Sequence, residues 1–167
     1  MQITKTKNKE TGLTLVEAIV SFFILTSAII GSFVLVQKNL AIASIIKNEV
    51  IATQLAEEGI EVIRNLRDGD WHSGRVFGTS IPDGTFLVQW DSTALLPNSS
   101  DFLKLNSSNG LYDYNSIGTD TLFQRSIVIS TNSGESGIRK IITVNVSWIE
   151  RGGNKLIQAE EHLFNWK

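Results

Sequence analysis

The chain has no cysteine. That excludes disulfides, thiol nucleophiles and thiolate metal sites, although a domain of this size outside the cytoplasm could have used such staples. Histidine is almost as scarce: His72 and His162 stand alone. No Gly-x-Ser-x-Gly, His-Glu-x-x-His or phosphate loop is present, and the acid pairs Glu57-Glu58 and Glu160-Glu161 are adjacent residues of the kind usually solvated. The expectation is a protein that is not an enzyme and takes no cofactor or metal. Proline is missing from residues 13–67, so nothing there interrupts a long helix. Charge of one sign is lacking as well. The net charge is −2, with three Lys and Glu10 ahead of the apolar run and 12 Lys plus Arg against 15 Asp plus Glu over residues 37–167. Without a basic patch there is no nucleic-acid footprint.

What the chain does have is one apolar run. Residues 13–36 carry Glu17 as their only charge. About 24 helical residues reach about 36 Å, enough to cross a hydrocarbon core of about 30 Å. The preceding residues are polar and basic through Lys5, Lys7 and Lys9, which places the amino terminus inside and the remainder outside. Ala41-Ile42-Ala43 offers a small-x-small boundary for ordinary signal-peptide cleavage, but a secretory apolar core is about 7–15 residues long and this one is far longer. An uncleaved anchor stays open on these grounds. Glu17 does not suit a plain anchor, because an acidic residue deep in a membrane helix costs about 2.5–3.5 kcal/mol unless it finds a partner.

The residues at this boundary read Thr11-Gly12-Leu13-Thr14-Leu15-Val16-Glu17-Ala18. A Gly followed by a hydrophobic residue, Thr, two aliphatics and Glu resembles the processing and assembly site of type IV prepilins and type II secretion pseudopilins. The resemblance covers the leader and the apolar helix, about a quarter of the chain. It implies a bacterial inner-membrane precursor cut between Gly12 and Leu13 by a prepilin peptidase and methyltransferase, with Leu13 N-methylated. It further implies that Glu17 pairs with the amino terminus of a neighbouring pilin or pseudopilin subunit, and that the partners are that peptidase, sister subunits and membrane lipid. Many type IVa major pilins carry a carboxyl-terminal disulfide loop and a kinking proline in the membrane half. This chain has neither, which favours a minor pilin or pseudopilin. Two alternatives stand beside the structural subunit: a tip minor pilin binding surfaces, DNA or cargo through residues 91–120, and a single-pass anchored protein of another function.

Beyond the run the helical pattern continues. Ile45, Ala52, Ala56, Gly59 and Ile63 share one strip flanked by Leu55 and Leu66, with Lys47, Gln54, Glu57, Glu58 and Glu61 mostly opposite. Asp68-Gly69-Asp70 reads as a stop, with Arg64 and Arg67 suited to the last turns. The expected parts are thus a leader (1–12), a membrane half (13–36) and an amphipathic half (37–68) of one helix, and a β-domain (69–167). In that domain, alternation predicts strands around Phe86, Val88 and Trp90, over 122–129, around Ile142, Val144, Val146 and Trp148, and over 156–166. The turns between the last three fall at 131–137 and 151–154, which makes an antiparallel meander. Residues 91–120, rich in Ser, Asn and Asp, read as a long loop with one short hairpin. Their acids lack calcium-loop spacing and suit turns better. The predicted class is α+β and pilin-like: a long amino-terminal helix whose second half packs on an antiparallel sheet.

Overall fold

A computed structural model describes residues 12, 14–115, 117–131 and 139–165. The leader before Gly12, Leu13, the turn expected over 132–137 and Trp166 lie outside the described residues. The chain divides into two compact units, Met1–Ser44 and Ile45–Lys167, and helix α1 (Leu15–His72) contributes to both.

In the first unit α1 is apolar on every side. Large side chains such as Leu15, Phe22, Phe23, Ile29 and Phe33 are each more than 60% exposed. Three of its hydroxyls donate back to the helix backbone. Thr26 Oγ1 donates to the carbonyls of Phe22 and Phe23 (2.9 and 3.0 Å), Ser27 Oγ to Phe23 (2.7 Å) and Ser32 Oγ to Ala28 (2.9 Å). A helix hydrophobic all round, with its side-chain donors turned back on its own backbone, suits a medium without water. It is long and apolar enough to cross a membrane.

In the second unit α1 buries one face. Ala52, Leu55, Ala56, Gly59, Val62, Ile63 and Leu66 are buried, whereas Lys47, Gln54, Glu57 and Glu61 are exposed, so the inward strip is the one the periodicity predicts. It packs on an antiparallel sheet of order β2-β1-β6-β7-β8, formed by β1 (Gly84–Leu87), β2 (Leu96–Pro97), β6 (Gln124–Thr131), β7 (Arg139–Glu150) and β8 (Gly153–Phe164). Strands β6, β7 and β8 make the expected meander, and Ile127↔Val144 and Ile129↔Ile142 bring the buried rows into register. Ile63, Val144 and Val146 share one core with Leu66, Phe123 and Trp148. Gly59 lets the helix come close: a Cβ there would stand 3.0 Å from Val144 Cγ1 and 3.5 Å from Arg125 Cδ.

Four boundaries differ from the sequence reading. Asp68-Gly69-Asp70 does not end the helix, which runs on to His72. The side chain of Asp70 is instead fully buried, accepting from Ser80 N–H (2.8 Å) and Ser80 Oγ–H (2.6 Å) and pairing with Arg75 Nε (3.0 Å). The true stop is Gly74, at φ +67°, where Arg75 N–H reaches back to Asp70 O (2.8 Å) and Gly74 N–H to Trp71 O (3.1 Å), a Schellman ending. The alternation through Val88 and Trp90 outlasts the strand, since β1 closes at Leu87. Residues 91–120 are not one loop: they contribute β2 to the main sheet and build a second sheet of order β4-β3-β5 from β3 (Lys104–Leu105), β4 (Tyr112–Asp113) and β5 (Thr119–Asp120). These two-residue strands are too short to show any alternation. The β7–β8 turn is also tighter than expected. Arg151 (φ 51°) and Gly152 (φ 77°) make a two-residue primed turn, so Gly153 and Asn154 already belong to β8.

Candidate functional site

The residues singled out by the sequence lie where α1 begins. Thr14 directly precedes the helix, and its Oγ1 accepts the N–H of Glu17 at 3.3 Å while its carbonyl takes the N–H of Ala18 at 3.1 Å. Thr14 is therefore the N-cap and Glu17 the third helical residue, at the two ends of a Thr-x-x-Glu sequence of which the Thr14 hydroxyl makes the capping bond. That pattern is visible in the sequence, and it gives Glu17 a local role as well as a signature role. The carboxylate also sits in the first turn, where the positive end of the helix dipole favours an anion. Glu17 is exposed, with apolar neighbours Leu15, Val16, Ile19 and Val20 exposed around it. Leu13, the residue expected to become the new terminus, stands outside the described residues.

Gly12 is exposed, and among the described residues nothing lies within 4 Å of where its Cβ would stand. No family model, curated protein or solved structure matches the chain. The case for the site therefore rests on its own chemistry.

Elsewhere, several ionic groups hold the fold. Glu58 pairs with Arg125 (2.9 Å), and Glu161 takes both contacts of Arg64 Nη2 (2.8 and 2.9 Å) while Arg64 also pairs with Glu61. Glu161 and Glu61 hold the Arg64 guanidinium above its ordinary value, with the Glu161 hydrogen bond the largest cause. His162 meets Glu160 at 3.1 Å on an exposed face. In the 91–120 segment the amide and acid side chains cap their own turns: Asn106 Oδ1 accepts from Ser108 N–H, Asn109 Oδ1 from Leu111 N–H and Asp113 Oδ1 from Asn115 N–H, each at 3.0 Å. Among the described residues no group of three or more His, Asp or Glu side chains is arranged to hold a metal ion.

The residue that sequence reasoning passes over is Arg125. Its side chain is buried between α1 and the sheet, where Nη1 donates to Leu55 O (2.8 Å) and Glu58 Oε1 (2.9 Å) and Nη2 to Val88 O (2.5 Å). The available signal is its position: Arg125 shares the inward row of β6 with Ile127 and Ile129.

Proposed function

We propose that this chain is a structural subunit, a minor pilin or pseudopilin, of a type IV pilus or type II secretion-like filament. In this reading it is made as an inner-membrane precursor, cut after Gly12, N-methylated on Leu13 and assembled through its apolar helix. The observation that carries the proposal is the start of α1. The apolar part of α1, residues 15–36, holds a single carboxylate, Glu17, in the first turn of the helix and five residues after Gly12. Cleavage would release an α-amino group on Leu13, with a reference pKa of about 7.7–8.0. That cation would lie against the positive end of its own helix, which is unfavourable. Glu17 of a neighbouring subunit relieves both this repulsion and the cost of its own charge in an apolar medium. In the filament, the exposed apolar side chains of residues 15–44 would be covered by the same segment of other subunits. The chain is the substrate of the peptidase and has no catalytic part of its own in this scheme.

Intact mass of the chain recovered from a host with a prepilin peptidase tests the proposal. The expected mass begins at Leu13 with one added methyl group. Protein that keeps residues 1–12, or that begins at Ser44, contradicts it.

A further inference from the structure

Strands β6 and β7 first pair at Gln124↔Ser147, so residues 148–150 of β7 have a strand partner only in β8, through Trp148↔Lys155, Ile149↔Asn154 and Glu150↔Gly153. A cleft of about 380 Å³ lies at this step in the sheet, lined by Phe102 and Leu122 from the chain before β6, Trp148 and Ile149 from β7, and Lys155 and Leu156 from β8. Four of these side chains are large, apolar and open to solvent: Phe102, Leu122, Ile149 and Leu156 are 40–68% exposed. Trp148 is the opposite, 4% exposed, and its indole Nε1–H has no hydrogen-bond partner among the described residues. Its buried ring closes the inner wall of the cleft. Lys155, on the rim, and Arg151, in the adjoining turn, are exposed cations without an ion-pair partner among the described residues.

We propose that this cleft docks an extended segment of a partner protein that carries a large apolar side chain next to an acidic residue. The step in the sheet leaves backbone donors and acceptors of residues 148–150 at an open edge, which an extended strand can pair with where β6 has yet to begin. The apolar side chain enters between Phe102, Leu122, Ile149 and Leu156, against the wall that Trp148 closes. The acidic neighbour meets Lys155 and Arg151, which sets orientation and selects against basic segments. Every residue involved lies in the Ile45–Lys167 unit, so the inference stands apart from the filament reading.

The probe is a fluorescein-labelled peptide, acetyl-Thr-Glu-Phe-Glu-Val-Thr-amide, titrated with the full chain in non-ionic detergent micelles and read by anisotropy, with empty micelles subtracted. Saturable binding with a Kd below about 100 µM is expected, about tenfold weaker for the peptide with Lys in place of Glu. Lys155→Glu and Leu156→Ser, both at exposed positions, are each expected to weaken binding about tenfold or more while leaving the thermal midpoint unchanged. No saturable binding below about 1 mM overturns the proposal. So does binding that is indifferent to peptide charge, or that survives both surface variants. Competition by unlabelled chain alone, with no effect of free peptide, would assign the cleft to a second copy and overturn it too.

Discussion

Replacing Arg125 tests how the helix is held to the sheet in the Ile45–Lys167 unit. Its guanidinium ties three elements: the α1 backbone at Leu55, the α1 side chain of Glu58, and Val88 just beyond β1. Arg125→Met keeps the aliphatic stem and removes only the donors. The Glu58 side chain, 29% exposed, returns to water, and the Leu55 carbonyl keeps its place in the helix ladder. Val88 O belongs to a residue with no exposure and loses its donor, at about 1–3 kcal/mol. Charge-assisted hydrogen bonds lost with it bring the expected cost to about 2–3 kcal/mol. Arg125→Ala adds a cavity among Ile127, Val88 and Leu55 and should cost about 4–5 kcal/mol. Urea unfolding of the full chain in non-ionic micelles, followed by tryptophan fluorescence, measures both. Buried ion pairs in other folds have been replaced by apolar residues without loss. A wild-type midpoint for Arg125→Met would place this pair in that class and refute the reasoning, because the carbonyls would then not depend on the arginine.

Ile63→Ala should cost about 2–5 kcal/mol in the same assay, because Ile63 has no exposure and sits in the core with Val144, whereas Glu57→Ala on the exposed face should stay within about 0.5 kcal/mol. Equal midpoints would mean that the wrong face has been placed inward. Burial raises the Tyr114 phenol above its ordinary value, so the neutral form is favoured in the folded state. The stability linked to it is present below about pH 10 and is lost as pH rises through the elevated value, and Tyr114→Phe should flatten that alkaline limb. A chain whose unfolding midpoint falls as steeply above about pH 10 with phenylalanine at this position would show that another group is responsible.

The inward strip of α1 was legible because a helix half on a sheet must repeat its apolar residues near every 3.6 positions, and Ala52, Leu55, Ala56, Gly59 and Ile63 do so. The β6–β8 meander was legible from alternation, strongest in β7. Arg125 was not, since a charge within an alternating row reads as an interruption until its three acceptors are seen. Asp70 misled for a related reason. Asp-Gly-Asp is turn chemistry by composition, yet that carboxylate is spent on Ser80 and Arg75 inside the fold. The strands between residues 91 and 120 are set by tertiary pairing, which two residues cannot announce. At the site, Gly12 was legible only as part of a signature, Glu17 also from the cost of a carboxylate in an apolar helix, and the cap on Thr14 follows from Thr-x-x-Glu chemistry and needs no family at all.

The two roles of Glu17 can be separated in one measurement: the amount of processed subunit in sheared filaments or co-purified pseudopilus for wild type, Thr14→Ala and Glu17→Val. If Glu17 serves only the helix start, Thr14→Ala loses the hydroxyl that accepts the Glu17 N–H, worth about 1 kcal/mol, Glu17→Val keeps that bond and loses only a first-turn anion, worth about 0.3–1 kcal/mol, and both variants should still assemble. If it pairs with the amino terminus of a neighbour, Glu17→Val leaves that ammonium uncompensated in an apolar interior, at about 3–5 kcal/mol, while a lone subunit in the bilayer is relieved of its charge. The account predicts that Glu17→Val is inserted and cleaved normally, accumulates in the membrane fraction and is missing from the filament, whereas Thr14→Ala still assembles. Entry of Glu17→Val into the filament at the wild-type level would contradict it.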